Sequence, residues 1–399
     1  MTVLETNPSD AFANDRKHVF HSWSAQGALN PAVVTRAEGS YFWTEDGTRY
    51  LDFSSQLVNV NIGHQHPKLV AAIQEQAGRL CTIAPFHAND ARSEAARLIS
   101  EVANNGNPDS DLNMVFFTNG GAEATENAVR MARLHTGRFK VLNHYRSYHG
   151  ATNGAITLTG DPRRWPSEPG MPGVVKFWGP YAYRSAFHSS SEAEECQRAL
   201  QHLDDVLMVE GAHTVAAIIV ETVVGTNGIL VPPDGYLAGL RERCDRHGIL
   251  LICDEVMAGF ARCGEWFAYQ KWGVRPDLVC FAKGVNSGYL PLGGQTQHTS
   301  LYGKSEHPDR SENRDEPRPV EDRDDPPGGR QVERLPAHEL RAARRLGIDE
   351  VVVVALEGVA VAVDPDDPVQ DDPVQERAAV ADDVAHAIGF GQALNLNHR

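Results

Sequence analysis

Through the first three hundred positions, short unbroken apolar runs alternate with segments whose apolar residues recur at three- and four-residue spacing. Unbroken runs of four to eight predict buried strands, and the longer spacing predicts amphipathic helices. Residues 114–118, 215–220, 249–253 and 278–282 read as strands. Helices are predicted over 122–135 and 235–247, and over 67–80 through Leu69, Val70, Ile73 and Leu80. Residues 40–53 (SYFWTEDGTRYLDF) predict a hairpin, with Asp46-Gly47 as its turn. Strands alternating with helices predict an α/β fold with a mostly parallel sheet. In such sheets functional residues gather at the C-terminal ends of the strands.

Beyond Tyr302 this pattern fails. Of the 30 aromatic residues, 29 lie at or before Tyr302, and Phe390 alone follows. All six Cys and all six Met also precede position 303. Residues 303–399 carry 22 acidic and 12 basic side chains, which is −10 of the chain's total of −16. Between Tyr302 and Leu335 the apolar residues are Val320 and Val332. Such a stretch buries too little surface to offset its ordering entropy, so disorder is expected there. Asp-Asp-Pro-Val-Gln then occurs twice in tandem, at 366–370 and 371–375. Local structure is expected in the tail only over 339–346 and 351–363.

Composition narrows the functional classes. A 399-residue chain that is 41% hydrophobic reads as a soluble globular protein of two or three domains. It has no run of 18 apolar residues and its first 20 residues are polar, so a cytoplasmic protein is expected. The acidic balance argues against sequence-independent nucleic-acid binding, which needs a basic face. Cysteines at 81, 196, 244, 253, 263 and 280 show no CxxC spacing. A disulfide framework or structural zinc is therefore not expected.

Three strand ends carry candidate chemistry. Asn119-Gly120-Gly121-Ala122 joins a strand to a helix start, where free N–H groups and the helix dipole favour an anion. It lacks the GxGxxG and P-loop patterns, so a single phosphate fits better than a dinucleotide or nucleoside triphosphate; a simple helix entry is the alternative. Asp254 ends the run Ile249-Leu250-Leu251-Ile252-Cys253. It reads either as an N-cap or buried ion pair, or as the partner of a protonated heterocyclic nitrogen. Lys283 ends Leu278-Val279-Cys280-Phe281-Ala282 in a chain with only seven lysines. It is either a stem packed under the surface or an amine nucleophile with a depressed pKa. Phosphate turn, strand-end Asp and strand-end Lys together suggest pyridoxal 5'-phosphate.

These residues resemble the class III (subgroup II) pyridoxal-phosphate aminotransferases of fold type I, over about residues 18 to 294. The resemblance rests on Gly63-His64-x-His66-Pro67, Thr118-Asn119-Gly120-Gly121-Ala122-Glu123-Ala124 and Tyr148-His149-Gly150. It is carried further by Asp254-Glu255-Val256-Met257-Ala258-Gly259-Phe260 and by Pro276-Asp277 with Phe281-Ala282-Lys283-Gly284. It implies that Lys283 holds the cofactor as an aldimine and shuttles the proton, and that Asp254 keeps the pyridinium nitrogen protonated. Gly120, Gly121 and Ala122 are implied at the phosphate, Tyr148 and Val256 on the two ring faces, and Glu221 in the polar network beside the ring. His149 is read as a packed, hydrogen-bonded imidazole of the cofactor site. Met257 stands where many members have Gln, and a thioether is a poor acceptor and no donor. Leu57 and Val58 fall where the family lines its substrate pocket. His64 and His66 lack a third ligand nearby and read as loop structure, so no metal is expected.

The implied activity is transfer of an amino group from an amine or ω-amino acid, such as taurine or β-alanine, to a 2-oxo acid such as pyruvate. The implied assembly is a homodimer without nucleic-acid or membrane partners. A racemase or decarboxylase of the same fold, or a catalytically dead large-domain fragment, are the alternatives. The expected organisation is an N-terminal segment with a hairpin (1–62), a cofactor-binding large domain (63–294) and an atypical acidic, Pro- and Arg-rich tail (295–399). In that tail the family's small domain is expected to be replaced by an aberrant, largely disordered sequence arising from a frameshift or rearrangement, with impaired turnover as the consequence. Arg341, Arg344 and Arg345 are read as a solvated helix face.

Overall fold

The computed structural model describes residues 8–105 and 111–303. The tail's expected disorder, its two short structured stretches and its arginine face lie outside the described residues. Ten strands form two sheets. β1 (Val34–Glu38), β2 (Tyr41–Thr44) and β3 (Arg49–Leu51) make a small antiparallel sheet. The hairpin expected in 40–53 is its β2–β3 pair, turned at Gly47 with a left-handed φ of +82°. Asp46 fastens the turn by accepting from Thr44 Oγ1 at 2.7 Å and from Thr48 N at 3.0 Å.

The main sheet holds β4 (Leu112–Thr118), β5 (Lys140–His144), β6 (Val174–Phe177), β7 (Val215–Glu221), β8 (Leu250–Asp254), β9 (Leu278–Phe281) and β10 (Gly293–His298). Their order is β4-β10-β9-β8-β7-β5-β6. β10 is antiparallel to both its neighbours, and every other pair is parallel. Six of the seven strands therefore point their C-terminal ends to one edge. The α/β class and mostly parallel sheet expected from the sequence are what the structure shows.

The centre of the sheet is buried on both faces, which explains why its strands read as unbroken apolar runs. Every residue of β7 is buried. Successive side chains alternate between faces: Ile218 and Val220 enter one core, Ala217 and Ile219 the other. The first face is covered by helices Asp90–Ala103, Glu192–Glu210 and Tyr236–His247, through Ile99, Leu203, Leu207, Leu240 and Cys244. Helix Gly121–Thr136 covers the second face with Ala124, Ala128, Val129 and Ala132. Small side chains let its backbone lie close to the strands. Among the described residues no helix is long and apolar enough to cross a membrane.

Two boundaries drawn on the sequence fall inside continuous structure. β10 runs through the 294/295 junction and lies between β4 and β9, with Gly294 facing Phe117 on one side and Phe281 on the other. Its Gln-Thr-Gln pattern hid it, because a central strand is usually apolar. The segment on either side of residue 62 is likewise continuous with the main body. Ile62 N donates to Ser287 Oγ at 3.2 Å, Tyr289 OH donates to Gly63 O at 2.7 Å and His66 N donates to Tyr289 OH at 2.7 Å.

Gln295 is fully buried, donates only to the Met131 sulfur, and leaves Oε1 without a partner among the described residues. An unsatisfied buried carbonyl costs about 1–3 kcal/mol. Gln295→Leu is therefore expected to raise the unfolding free energy by roughly 1–2 kcal/mol, read as a higher urea midpoint at unchanged slope.

Candidate active site

Five strand ends converge at the edge where the parallel strands finish. β8 ends in Asp254, which faces Glu221 at the end of β7 and Cys280 on β9. One residue beyond Ala282, Lys283 turns out of the sheet with a left-handed φ of +39°. After β5 the chain passes through Ser147 to Tyr148 and His149, and after β4 it enters helix Gly121–Thr136 through Gly120. The structure thus brings together Lys283, Asp254, Glu221, His149, Tyr148, Gly120, Gly121, Ala122, Val256 and Met257, which lie up to 163 positions apart in the chain.

Burial dominates the electrostatics. Asp254 is 3% exposed; its Oδ2 meets His149 Nδ1 at 2.7 Å and its Oδ1 accepts from Val256 N at 3.0 Å. His149 thus turns Nδ1 to the Asp254 carboxylate, and its buried Nε2 has no partner among the described residues. Glu221 accepts from Tyr148 N at 2.8 Å and from Gly225 N at 2.9 Å. Burial pushes its carboxyl up to about 7, with His149 and the two N–H donors opposing and Asp254 reinforcing the rise. Burial also lowers the Lys283 ammonium from the ordinary lysine range, against the attraction of Asp254 and Glu221. Arg262 and Arg163 add to that lowering. Among the described residues the Lys283 amine has no hydrogen-bond or ion-pair partner.

The walls are set by close packing. A Cβ on Gly121 would stand 2.9 Å from both methyl carbons of Val256, so only glycine fits between the helix start and that wall. The N–H groups of Gly121 and Ala122 open the 16-residue helix, where no preceding turn can accept from them. Opposite, the Tyr148 ring meets Trp23 edge-on at 6.2 Å and carries the Arg163 guanidinium 4.0 Å above its centre. Met257 packs its sulfur against the bare Cα of Gly225, whose N–H serves Glu221.

Trp23, Asn61, Arg163 and Arg262 were not among the sequence candidates. Arg163 lies in a polar, Pro-rich 3-10 helix, Pro162–Ser167, and its tie to Asp161 is local. Its proximity to Tyr148 is purely tertiary. Leu57 is 79% exposed, and no hydrogen bond or ring contact joins it or Val58 to the group around Lys283 among the described residues. His64 pairs through Nε2 with Asp52 at 2.7 Å, and His66 N is tied to Tyr289 OH. Both serve the loop.

A half-buried amine, a carboxylate at the end of the next strand, an orphaned imidazole nitrogen and a helix start with bare N–H groups fit pyridoxal 5'-phosphate. Lys283 would hold its aldehyde carbon, Asp254 its ring nitrogen, and Gly121 and Ala122 its phosphate. Fold and site define the large domain of a fold type I pyridoxal-phosphate transferase.

The aminotransferase class-III family model matches residues 23–311, and the chain belongs to that family. The match extends past residue 294, as β10 does. The chain is 33% identical over 293 residues to taurine–pyruvate aminotransferase of Bilophila wadsworthia, covering 71% of this chain and 62% of that protein. It is 38% identical over 264 residues to acetylornithine aminotransferase of Methanopyrus kandleri, covering 66% and 61%. The chain thus spans about six-tenths of the length of these curated relatives. Among solved structures, taurine:2-oxoglutarate aminotransferase from Bifidobacterium kashiwanohense, in complex with PLP and glutamate, is similar at 44% identity and TM-score 0.72. That match covers 75% of this chain and 67% of that one. An (S)-enantioselective ω-transaminase from Thermomicrobium roseum is similar at 37% identity and TM-score 0.71, covering 75% and 68%. Class III aminotransferases depend on pyridoxal phosphate, and the taurine:2-oxoglutarate enzyme was solved with it bound.

The raised Glu221 carboxyl has a stability consequence. The folded chain binds this proton up to about pH 7 and the unfolded chain only to about 4.5. Stability from this group is therefore present below the unfolded pKa and is lost as pH rises through 4.5 to 7. Glu221→Gln is expected to gain roughly 1–3 kcal/mol relative to the parent between pH 4.5 and 7.5, measured by urea unfolding at a series of pH values.

Proposed function

We propose that the chain is a pyridoxal-phosphate aminotransferase moving an amino group from an ω-amino compound, such as taurine or β-alanine, to a 2-oxo acid such as pyruvate. The observation that carries this is the half-buried Lys283 amine, without a partner among the described residues, beside Asp254 at neighbouring strand ends. When bound, pyridoxal phosphate supplies an electron-withdrawing ring that drains charge from the substrate carbon. Asp254 would hold positive charge at the ring nitrogen, and His149 and the Val256 N–H keep that carboxylate aimed. Lys283, whose ammonium form is disfavoured by desolvation, takes and returns the proton at the substrate carbon. Tyr148 and Val256 would hold the cofactor ring between them.

The amino donor reading is supported by relatives named for taurine and ω-transamination. A second support is Arg163, which leaves Nη1 without a partner among the described residues while its other nitrogens serve Asp161 and Thr226. A cation on the open face of Tyr148 suits the sulfonate or carboxylate at the far end of an ω-amino acid. We read the working form as a cytoplasmic homodimer. Phe20, Leu57 and Phe86, each at least 79% exposed, support a covering copy. The free cysteines Cys81, Cys196, Cys244, Cys253, Cys263 and Cys280 support a reducing compartment. None of the relatives reported above is a racemase or decarboxylase.

Borohydride reduction of the chain mixed with pyridoxal phosphate is expected to place one pyridoxyl group on Lys283, located by peptide mass. Lys283→Ala is expected to abolish the label. Scattered labelling of surface lysines would overturn the assignment. In turnover with pyruvate, Arg163→Met is expected to raise KM for taurine and β-alanine at least about tenfold. An uncharged amine donor should be little affected, and equal losses for both donor types would remove Arg163 from substrate recognition.

A further inference from the structure

Arg262 is an arginine whose position its surroundings do not explain as a salt bridge. It lies in the tight turn after β8, where Phe260 and Ala261 both adopt left-handed φ values of 56° and 66°. Among the described residues its guanidinium makes one hydrogen bond, from Nη2 to Asn61 Oδ1, and meets no carboxylate. Its Nε is buried without a partner. Burial lowers its own affinity for the proton, and the thiol of Cys263 is the only ionisable group that offsets this.

Asn61 fixes that guanidinium on a second strained turn. Its Nδ2 donates to Phe260 O at 2.9 Å and lies directly against the bare Cα of Gly284, the residue after Lys283. A side chain at 284 would collide with the amide. One asparagine from the N-terminal segment thus clamps the Phe260–Arg262 turn against the left-handed Lys283 turn. The clamp brings an uncompensated cation to the neighbourhood of the site.

We propose that Arg262, held by Asn61 against the Lys283 turn and left without a counter-charge among the described residues, is a positioning residue that prepares Lys283 for the cofactor's aldehyde. This rests on Lys283 being the cofactor lysine. The charges facing that amine are Asp254 from β8 and Glu221 from β7, which favour its ammonium form, and Arg163 and Arg262, which oppose it. His149 is bound to Asp254. Arg163 is paired with Asp161, so its opposing field is partly cancelled. Among the described residues Arg262 has no such pairing, and a half-buried cation acts at higher strength than one in water.

Trace acetylation of the full chain before cofactor is added, resolved by peptide mass across pH, reads the charge state of each lysine. The exposed Lys271 is the internal reference. In Arg262→Gln the Lys283 profile is expected to move to higher pH, lowering its relative reactivity at pH 8 about three- to tenfold. Arg262→Lys, which keeps the charge, should retain the parental profile. A parental profile in folded R262Q would overturn the proposal, because a purely structural arginine would change stability and not this titration. Should R262Q fail to fold, Asn61→Ala releases the guanidinium and is expected to shift Lys283 the same way; no shift there would be equally fatal. Failure of Lys283 to take pyridoxal phosphate would sink the cofactor assignment while leaving this titration readable.

Discussion

Ionisable groups buried at the edge of a doubly covered sheet are the constraint on which the rest of the molecule depends. Asp254, Glu221 and Glu255 are at most 7% exposed, in a region where an unpaired carboxylate costs several kcal/mol. Each is met by donors from the loops that leave the strands. Asp254 takes His149 and the Val256 N–H, and Glu221 takes the N–H groups of Tyr148 and Gly225. Glu255 takes those of Ala268 and Tyr269 and the Thr222 hydroxyl. The carboxylates and the loops therefore specify one another. A loop in another conformation would leave both a buried charge and a buried N–H unpaired.

The sheet supplies the other half of that arrangement. Parallel register sets Glu221 beside Asp254, and Asp254 beside Cys280 three residues before Lys283. Three polar end residues thus lie on three adjacent strands. Their spacing is a property of strand pairing rather than of any side chain. Helix Gly121–Thr136, pressed close by its alanine face, brings its free N–H groups to the same edge, and the absence of a Cβ at Gly121 leaves room for the Val256 wall. A site assembled in this way is rigid at its base.

The legible part of this protein is the part governed by local rules. β7, β8 and β9 were readable because burial on both faces leaves no polar positions to interrupt the run, and the hairpin because Asp46-Gly47 accepts a left-handed turn. Lys283 and Asp254 stood out because charged residues abruptly end apolar strands. β10 was not readable: its Gln295, Thr296 and Gln297 are polar, and only pairing on both edges makes a strand of them. Asn61, Arg163 and Arg262 carried no signal of their own, since an isolated polar residue outside the strands looks the same whether it faces water or a strand end.

By itself, then, the chain's order of residues determined the strand–helix alternation, the glycine turn before helix Gly121–Thr136 and the two charged strand termini, because each follows from interactions among neighbours in sequence. Tertiary structure alone decided that β10 joins β4 to β9, that His149 fastens Asp254, that Arg163 lies over Tyr148 and that Asn61 ties Arg262 to the Lys283 turn. Asn61 and Arg262 are 201 positions apart. Contacts at that separation exist only after the sheet has set the distances between loop origins, so no local pattern encodes them.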